Sequence, residues 1–315
     1  MPKQTQAEFR ELLGKLTNRG RWGAADERGA LNHISEAKRR AAAGCVRRGR
    51  RFSLAIPMLN GAGPQQGGGG RVNPLHFMTA TGCDPVARID LGMNARYTDD
   101  FLALTVQGGT QWDALCHIYY DDTLYNGAPA SEVTSAGAAR MGIDKVHRDF
   151  VSRGVLLDVA RAKGVDCLEP AYAITTQDLL ETERAQGVEL GEGDILLVRT
   201  GQMTKVKQGF RDWSAFHGRE PGLHWETAEW IDERRIAAVA ADNSMVEAAG
   251  ALPGIWVPFH MLVLCNLGVH LGEFWQLEEL AADCAEDRVY DFLLVAQALP
   301  IEGGTGSPVN PIAIK

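Results

Sequence analysis

The sequence has no excess of positive charge. It contains 32 Lys and Arg residues against 40 Asp and Glu residues, which gives a net charge of −8. A mildly acidic chain lacks the positively charged surface that attracts nucleic acid or an anionic membrane, so we expect neither as a partner. The locally basic stretch 39–51 lies in an Ala-rich, helix-like region, and we interpret it as a solvated helix face.

Closely spaced cysteines and a secretion signal are also missing. The six cysteines are scattered along the chain and form no C-x-x-C pair. Residues 1–20 contain no apolar segment of the kind that a signal peptide needs. Scattered thiols without a secretion signal are typical of a reducing compartment, so we expect a cytoplasmic protein.

One apolar stretch without charged residues has the length of a membrane span. Residues 248–272 contain no Asp, Glu, Lys or Arg. The same stretch contains two prolines, two histidines, an asparagine and four glycines, which make a poor lipid-facing helix. We therefore predict a buried core segment with a polar site threaded through it.

Several familiar catalytic and nucleotide-binding motifs are absent as well. The glycine-rich stretch 61–70 is not followed by the Lys-Ser/Thr of a phosphate-binding loop. The sequence has no G-x-S-x-G elbow and no dinucleotide-binding glycine fingerprint after a strand-like run. Nothing in these motifs therefore favours a nucleotide-dependent enzyme or a serine hydrolase.

Apolar runs alternate with amphipathic stretches after about residue 150. Four runs have the length of buried strands: Val155–Val159, Ile195–Val198, Ile236–Ala241 and Phe292–Ala296. Between them, Thr175 and Asp178 predict the start of a helix that runs to Gln186 and ends at Gly187. Residues 224–235 form a second helical pattern. This alternation predicts an α/β fold.

The first fifty residues have helical patterns of their own. Four apolar residues recur at helical spacing: Phe9, Leu12, Leu13 and Leu16. Ser35 is a candidate N-cap for a second helix. Because no strong boundary divides the rest, we predict an N-terminal helical segment, 1–50, packed on a single main domain, 51–315.

The stretch Leu104–Asp122 concentrates polar side chains. Four of them share one parity along the chain: Gln107, Gln111, Asp113 and His117. If the start of this stretch is extended, they point to one face, and Gly108 and Gly109 let a ligand or metal approach the backbone. A carboxylate, two amides and an imidazole can then converge on one site. A polar strand edge with its amides bonded to backbone is the alternative interpretation.

The stretch Pro258–Glu273 is apolar except for a few polar side chains, among them His260 and Glu273. A buried Glu without a partner is costly, so Glu273 should be paired or metal-bound. Histidine with carboxylate is a common ligand set for a divalent metal, although His260 could equally be a satisfied core histidine. His270 differs in strand parity from Glu273, so we predict that it points the opposite way.

Other features are weaker candidates. Residues 242–244 and Glu247 follow a strand-like run, where α/β sites often lie, although a capped helix start gives the same pattern. His76 and Trp112 can line a pocket, but each can equally pack in the core. The histidines at 33, 147, 217 and 224 are assigned to the surface or the core.

The stretch QGGTQWDALCH, residues 107–117, resembles the H-x-G-T-H-x-D-x-x-x-H signature of the putative cyclase family. That family includes bacterial kynurenine formamidases, isatin hydrolases and a trans-dienelactone hydrolase. The resemblance covers nearly the whole chain and includes WGAADERGALNHI, GVLLDVARAKG, GDILLVRTG, ADNSMVE, HMLVLCNLGVHLGE and SPVNPIAI. It implies a metal-dependent hydrolase with a swivelling β/β/α-type fold, a mixed sheet or distorted barrel flanked by helices. It also implies a homo-oligomer, a dimer or a tetramer.

The resemblance also implies roles for individual residues. In the common pattern five side chains bind metal: the first two signature histidines, the signature Asp, and a later His and Glu. The last signature His transfers protons. On this basis Asp113, His260 and Glu273 are metal ligands and His117 is the catalytic acid and base.

Gln107 and Gln111 stand where the family has its two ligand histidines. A neutral amide oxygen is a weaker donor than imidazole, so we expect one divalent metal, Zn²⁺ or Mn²⁺, rather than two. Both glutamines are kept as predicted ligands. The paired change resembles a subgroup of long-chain members, which favours a variant site over a decayed one.

The predicted reaction is hydrolysis of a small amide, a cyclic amide or imide, or a lactone. The metal would polarise the carbonyl and acidify a water, and His117 would take the water proton and return it to the leaving group. Trp112, His76 and Tyr120 are the predicted substrate contacts.

Three alternatives remain at this point. The first is a metal-free ligand-binding protein on the same fold, and the second is a lyase or cyclase that uses the same metal site. The third is a mononuclear iron oxygenase with His260, His270 and Glu273 as ligands, which strand parity disfavours. Product mass separates hydrolysis, which adds one water, from an isomerising cyclisation, which adds none.

Overall fold

The computed structural model describes residues 5–66, 70–84, 91–216 and 219–315. His217 and part of the glycine-rich stretch 61–70 lie outside the described residues. The molecule is a mixed α/β fold in which a curled nine-stranded sheet is flanked by helices, so the predicted fold class is confirmed.

The strands in the described ranges are β1 (Arg51–Ser53), β2 (Leu75–Ala80), β3 (Asp99–Ala103), β4 (Gln111–Asp113), β5 (Val133–Thr134), β6 (Gly137–Ala138), β7 (Val151–Asp158), β8 (Ala173–Ile174), β9 (Ile195–Arg199), β10 (Gly222–Leu223), β11 (Ala238–Ala241), β12 (His270–Glu273), β13 (Asp291–Val295), β14 (Gly306–Pro308) and β15 (Ile312–Ile314). The α-helices are α1 (Gln6–Lys15), α2 (Glu36–Ala43), α3 (Val159–Ala162), α4 (Thr176–Gln186), α5 (Thr227–Glu233), α6 (Pro258–His260) and α7 (Glu278–Asp287). A π-helical turn, Met261–Asn266, continues α6, and short 3-10 helices include Gly29–His33 and Gln202–Lys205.

The nine-stranded sheet has the order β1-β15-β13-β7-β9-β11-β12-β4-β14. Its centre, β7-β9-β11-β12, is parallel, whereas β13 and β4 run antiparallel to the strands beside them. β9 and β11 are buried along their whole length, as expected of parallel strands that are covered on both faces. The four apolar runs correspond to β7, β9, β11 and β13, which confirms that prediction.

Helix α4 forms where the turn chemistry predicts it. The Thr175 hydroxyl accepts the Asp178 backbone N–H, and the Asp178 carboxylate accepts the Thr175 N–H in return. The helix ends at Gly187, whose φ of 66° places it in the left-handed region. The second predicted helix is shorter than its pattern: α5 begins only at Thr227, after a turn at His224.

The N-terminal region contains two α-helices joined by a loop and the 3-10 helix Gly29–His33. α2 begins at the predicted cap, because the Ser35 hydroxyl accepts the Lys38 N–H. Phe9 and Leu12 of α1 are buried in the same core as the central strands. The division between segment 1–50 and domain 51–315 stays a prediction.

The second part of the uncharged stretch, 258–272, lies largely in the core, as predicted, whereas 250–257 is mostly at the surface and Trp256 is 79% exposed. Phe259 and three residues of the π-helical turn are fully buried there, and β12 follows as an inner strand of the sheet. None of the helices in the described ranges is long and apolar enough to span a membrane.

Candidate metal centre

The pairing of β4 with β12 places three polar side chains on one face of the sheet. Gln111 lies opposite Glu273 in the antiparallel register, and Asp113 is two residues further along the same face. The Gln111 amide nitrogen donates to Glu273 Oε2 at 2.7 Å and to Asp113 Oδ1 at 3.2 Å. Two buried carboxylates are therefore held together by one amide.

His260 completes a triad with these two carboxylates. α6 places His260 Nε2 3.8 Å from Asp113 Oδ2 and 3.6 Å from Glu273 Oε1. One ligand atom from each of the three residues lies within 4.8 Å of the others, and all three residues are buried. This spacing suits a single metal ion bound by two carboxylates and one imidazole.

Glu247 holds His260 from behind. Its Oε1 lies 2.5 Å from His260 Nδ1, and its carboxylate also accepts the backbone N–H groups of Phe259 and His260. A carboxylate on Nδ1 fixes the ring orientation and leaves Nε2 facing the triad. The sequence makes Glu247 only a weak candidate, because nothing in it indicates that the chain between Glu247 and His260 folds back on itself.

The triad carries an excess of buried negative charge. Burial raises the pKa of Asp113 to about 6, against the opposing effect of His117 and with the support of Glu273. Burial lowers the pKa of His260, but the carboxylates of Glu247 and Glu273 outweigh it and raise that pKa to about 10. One imidazole thus faces three carboxylates, an arrangement that a divalent cation would neutralise.

Two buried oxygens in the site have no hydrogen-bond partner among the described residues. They are Gln111 Oε1 and Asp113 Oδ2. Buried polar atoms are nearly always satisfied, and the unpartnered Asp113 Oδ2 lies 3.8 Å from His260 Nε2, so it fits the donor set of a divalent metal. In this arrangement Gln111 contacts the carboxylates through its amide nitrogen rather than its oxygen.

Gln107 and His117 lie beside the triad. The Gln107 amide nitrogen donates to Thr305 Oγ1 at 3.1 Å and lies 3.5 Å from His117 Nδ1. His117 Nε2 is 3.8 Å from Asp113 Oδ1, and its side chain is 18% exposed, more than the members of the triad. Burial lowers the pKa of His117, against the pull of Asp113, so the imidazole is neutral near pH 7. Thr305 escaped the sequence analysis because it lies in no motif.

The extended geometry expected for residues 104–117 holds only for β4. Residues 105–110 form a turn in which the Gly108 N–H donates to Thr105 O at 2.8 Å. Parity along a strand therefore accounts for Gln111 and Asp113 but not for Gln107 or His117. The loop geometry brings these two residues to the site instead.

The structure corrects the role expected of Trp112. Its side chain is 0% exposed and lies on the opposite face of β4, where it stacks on Phe150 with ring centroids 4.8 Å apart. The indole Nε1 donates to Ala296 O at 2.8 Å. Trp112 is thus a core residue on the face of β4 opposite Gln111 and Asp113, because adjacent residues of a strand point to opposite faces.

His270 lies on that same far face, as its strand parity predicts. Its Nδ1 is 2.8 Å from the backbone oxygen of Asp113, and its ring packs against Phe150. Burial lowers the pKa of His270 to about 4, so it stays neutral. His270 is therefore not placed to share a metal with Glu273.

The other two predicted substrate contacts lie apart from the triad's hydrogen bonds. His76, on β2, pairs with Asp100 Oδ2 at 2.8 Å and is substantially exposed. The Tyr120 hydroxyl lies 2.5 Å from Asn266 Oδ1 and is half-buried. Their roles in substrate binding stay predictions.

Residues 242–244 form a loop, and no helix starts there in the described chain. Asp242 accepts the N–H groups of Thr200 and Gly201 and so ties the ends of β9 and β11 together. Ser244 donates to the buried carboxylate of Glu220 at 2.9 Å. These contacts support the loop that carries Glu247.

Comparisons with known proteins show the family and the fold of this chain. A family model described as putative cyclase matches residues 53–248, which include the 107–117 stretch and Glu247 but not His260 or Glu273. A crystal structure of a novel cyclase is 42% identical, with a TM-score of 0.87 over 96% of this chain and 99% of that chain. None of the curated proteins matches the sequence.

Two more distant structures share the fold. Isatin hydrolase A from Ralstonia solanacearum is 18% identical, with a TM-score of 0.59 over 89% of this chain and 97% of that chain. A predicted metal-dependent hydrolase from Bacillus stearothermophilus is 16% identical, with a TM-score of 0.53 over 84% of this chain and 97% of that chain. At these identities both similarities concern the fold.

Proposed function

Because the chain belongs to the putative cyclase family, we propose that it is a metal-dependent hydrolase. Its substrate would be a small amide, a cyclic amide or imide, or a lactone. The observation that carries the proposal is the buried convergence of Asp113, His260 and Glu273, in which one Asp113 oxygen has no hydrogen-bond partner among the described residues. The hydrolase names of the distant structural relatives favour the same reaction class.

The triad is the proposed holder of one divalent ion, Zn²⁺ or Mn²⁺. When bound, the ion supplies a polarised substrate carbonyl and a water that loses its proton near neutral pH. Asp113 and Glu273 would offer carboxylate oxygens and His260 its Nε2, while Glu247 keeps the imidazole in that orientation. Turning its amide oxygen towards the carboxylates would make Gln111 a fourth donor.

His117 is the proposed proton carrier. Burial keeps its imidazole neutral near pH 7, and its Nε2 faces Asp113 at the more open side of the site. It can therefore accept the proton of the attacking water and return it to the leaving nitrogen or oxygen. Hydrolysis adds one water in total: hydroxyl to the carbonyl carbon and hydrogen to the leaving atom.

Gln107 supports His117 rather than the metal in this proposal. Its amide nitrogen lies at the limit of hydrogen bonding from His117 Nδ1, and its other contact is Thr305. A neutral amide oxygen is a weaker metal donor than the imidazole it replaces, so the donors near the triad favour one ion over two. We therefore expect one metal ion because glutamines occupy both positions, 107 and 111, where the family pattern has ligand histidines.

Elemental mass spectrometry on protein purified without chelator or metal-affinity resin tests the proposal first. About one Zn or Mn per chain, lost in Glu273→Ala, supports the hydrolase and directs a screen of formamides, imides and lactones. A product heavier than its substrate by one water then separates hydrolysis from cyclisation. Absence of metal, even after reconstitution, contradicts the proposal and favours a metal-free binding protein.

A further inference from the structure

Arg71 lies on the segment that leads into the two-stranded ribbon of β2 and β3, and this segment packs on the turn before β4. The Val72 N–H donates to Thr105 Oγ1 of that turn at 2.9 Å. A Cβ on Gly108 would lie 2.7 Å from Thr105 O and 3.3 Å from Val72 O, so a glycine lets the two segments approach closely. Because Gln107 belongs to the same turn, Arg71 is held beside the more open side of the candidate metal centre.

Hydrogen bonds on its C-terminal side fix the backbone that carries Arg71. The Asn73 amide donates to Gln65 O at 2.8 Å, and Asn73 Oδ1 accepts the Gln65 N–H at 2.9 Å. The Gln65 side chain donates to Gly108 O at 3.3 Å, which ties the same segment to the turn a second time. A side chain on a fixed backbone loses less conformational freedom when it binds a ligand than one on a free loop.

The charge of Arg71 reaches two groups of the candidate metal centre. Burial raises the pKa of Asp113 to about 6, and the positive charges of His117 and Arg71 oppose that rise. Burial lowers the pKa of His117, and the charge of Arg71 acts in the same direction. Because surface charges are screened beyond about 10 Å, an effect on both pKa values indicates that the guanidinium lies close to both groups.

The guanidinium of Arg71 forms no hydrogen bond or ion pair within the described ranges of the chain, although the residue is half-buried. A guanidinium has five N–H donors in a planar fork, and leaving them unmet in a partly buried place costs free energy. An anionic group of a ligand that enters beside His117 would meet them. The unpartnered fork and its position therefore indicate a binding role.

We propose that Arg71 binds a carboxylate group of the substrate, so that the enzyme hydrolyses amides, imides or lactones that carry a negative charge. This inference rests on the proposed function and adds the class of substrate. A guanidinium binds a carboxylate through two parallel N–H···O bonds, which fix the orientation of the substrate as well as its position. One cation balances one negative charge, whereas the buried carboxylates of the triad would repel a doubly charged phosphate.

The bound carboxylate is not the one that hydrolysis creates. The new carboxylate forms at the carbonyl carbon, whereas Arg71 holds a part of the substrate that does not react. Such a contact is the same in the ground state and the transition state, so Arg71→Gln should raise KM and leave kcat nearly unchanged. Arg71→Lys keeps the charge without the fork and should give an intermediate KM.

Two probes of equal size and different charge test the proposal without turnover. Fluorine NMR titrations give the Kd of para-fluorobenzoate and of its neutral counterpart, para-fluorobenzamide. Arg71→Gln should weaken para-fluorobenzoate binding about 10- to 100-fold, the loss expected for a charge-assisted pair, and leave para-fluorobenzamide binding unchanged. Arg184→Gln, at an exposed arginine of α4, is the matched control and should bind both probes as the wild type does. Equal para-fluorobenzoate affinities in Arg71→Gln and wild type overturn the proposal.

Removal of metal separates this inference from the proposed function. A carboxylate can also bind a metal ion, so the titrations are made on the protein as purified and again after treatment with a chelator. A dependence on Arg71 that persists without metal supports the Arg71 site. Binding that is lost with the metal and is indifferent to Arg71→Gln assigns the carboxylate to the metal and overturns the inference. A wild type without metal contradicts the hydrolase, while the Arg71→Gln titration still decides whether Arg71 binds a carboxylate.

Discussion

A single buried histidine links the two halves of the candidate site. His260 faces Asp113 and Glu273 with its Nε2 and Glu247 with its Nδ1, so its orientation depends on a carboxylate that lies outside the triad. A carboxylate that accepts the Nδ1–H of an imidazole fixes the tautomer and makes the other nitrogen, Nε2, a more basic metal ligand. Glu247 is therefore a positioning residue for the proposed metal site.

Replacing Glu247 by Gln tests that role. Gln keeps the size of the side chain and one acceptor oxygen but has no negative charge beside His260 Nδ1. The Zn²⁺ affinity should therefore fall about 10- to 100-fold. Competition against a metal-binding dye measures the affinity without any substrate. Glu183→Gln is the matched control, because Glu183 is also buried but accepts the Leu190 N–H instead of contacting His260. Equal affinities in Glu247→Gln and wild type would remove Glu247 from the site.

Replacing His117 should reduce turnover but not metal binding. His117→Ala removes the proposed proton carrier but none of the triad, so bound metal should stay at the wild-type level. Turnover should fall by about 10²- to 10⁴-fold. Metal content and kcat are measured on the same preparation, with Glu273→Ala as the variant that loses both. Undiminished kcat in His117→Ala would exclude this residue from proton transfer.

At the scale of elements, α4 shows how far local chemistry decides the outcome. Its start at Thr175, its capping box with Asp178 and its end at Gly187 all depend on contacts within a few residues. Such contacts are encoded locally, so the sequence predicts the helix to the residue. The shorter α5 differs because the turn at His224 takes up the start of its pattern.

The capping box leads to a stability prediction. Thr175→Ala removes the hydroxyl that accepts the Asp178 N–H and should lower the free energy of unfolding by about 1 kcal/mol. Chemical denaturation with urea measures the change. Gln177→Ala, an exposed position in the first turn of the same helix, serves as the control and should have little effect. A larger loss in the control would assign the effect to the helix surface instead.

Segment 104–117 shows where pattern reasoning fails at this scale. Alternation is a property of extended chain, and only β4 is extended there. The turn at Gly108 interrupts the alternation, yet the fold still brings His117 within 3.8 Å of Asp113. His117 and Asp113 lie close together, as predicted, but the turn brings them together and not an extended chain.

For the whole molecule, the buried carboxylates make stability depend on pH. Burial raises the pKa of Glu220 from 4.5 to about 7, against its hydrogen bonds from Ser244. Between these two values the folded state holds a proton that the unfolded state has released. The free energy of unfolding therefore falls as pH rises through this window, by at most about 1.4 kcal/mol per pH unit from this group.

Glu220→Gln should flatten that part of the pH profile. The amide cannot ionise, so the variant loses the decline between pH 4.5 and 7 that Glu220 contributes. Urea unfolding at several pH values measures it on metal-free protein, which keeps metal binding out of the comparison. Glu169→Gln, at an exposed carboxylate, is the control. An unchanged slope in Glu220→Gln would show that Glu220 does not titrate in this range.

The sequence alone determined the class of the fold and most of the site's membership. Apolar runs of strand length and a capping box can be recognised from residue type and spacing, because they reflect local geometry. The grouping of Asp113, His260 and Glu273 as candidates for one site came from the family resemblance. The tertiary structure decided what depends on contacts between distant segments. It placed Trp112 in the core, brought Glu247 behind His260, turned the Gln111 amide nitrogen to both carboxylates, and left the β2–β3 ribbon exposed. Those outcomes depend on which strands pair and where loops fold back. Local sequence does not specify these contacts between distant segments.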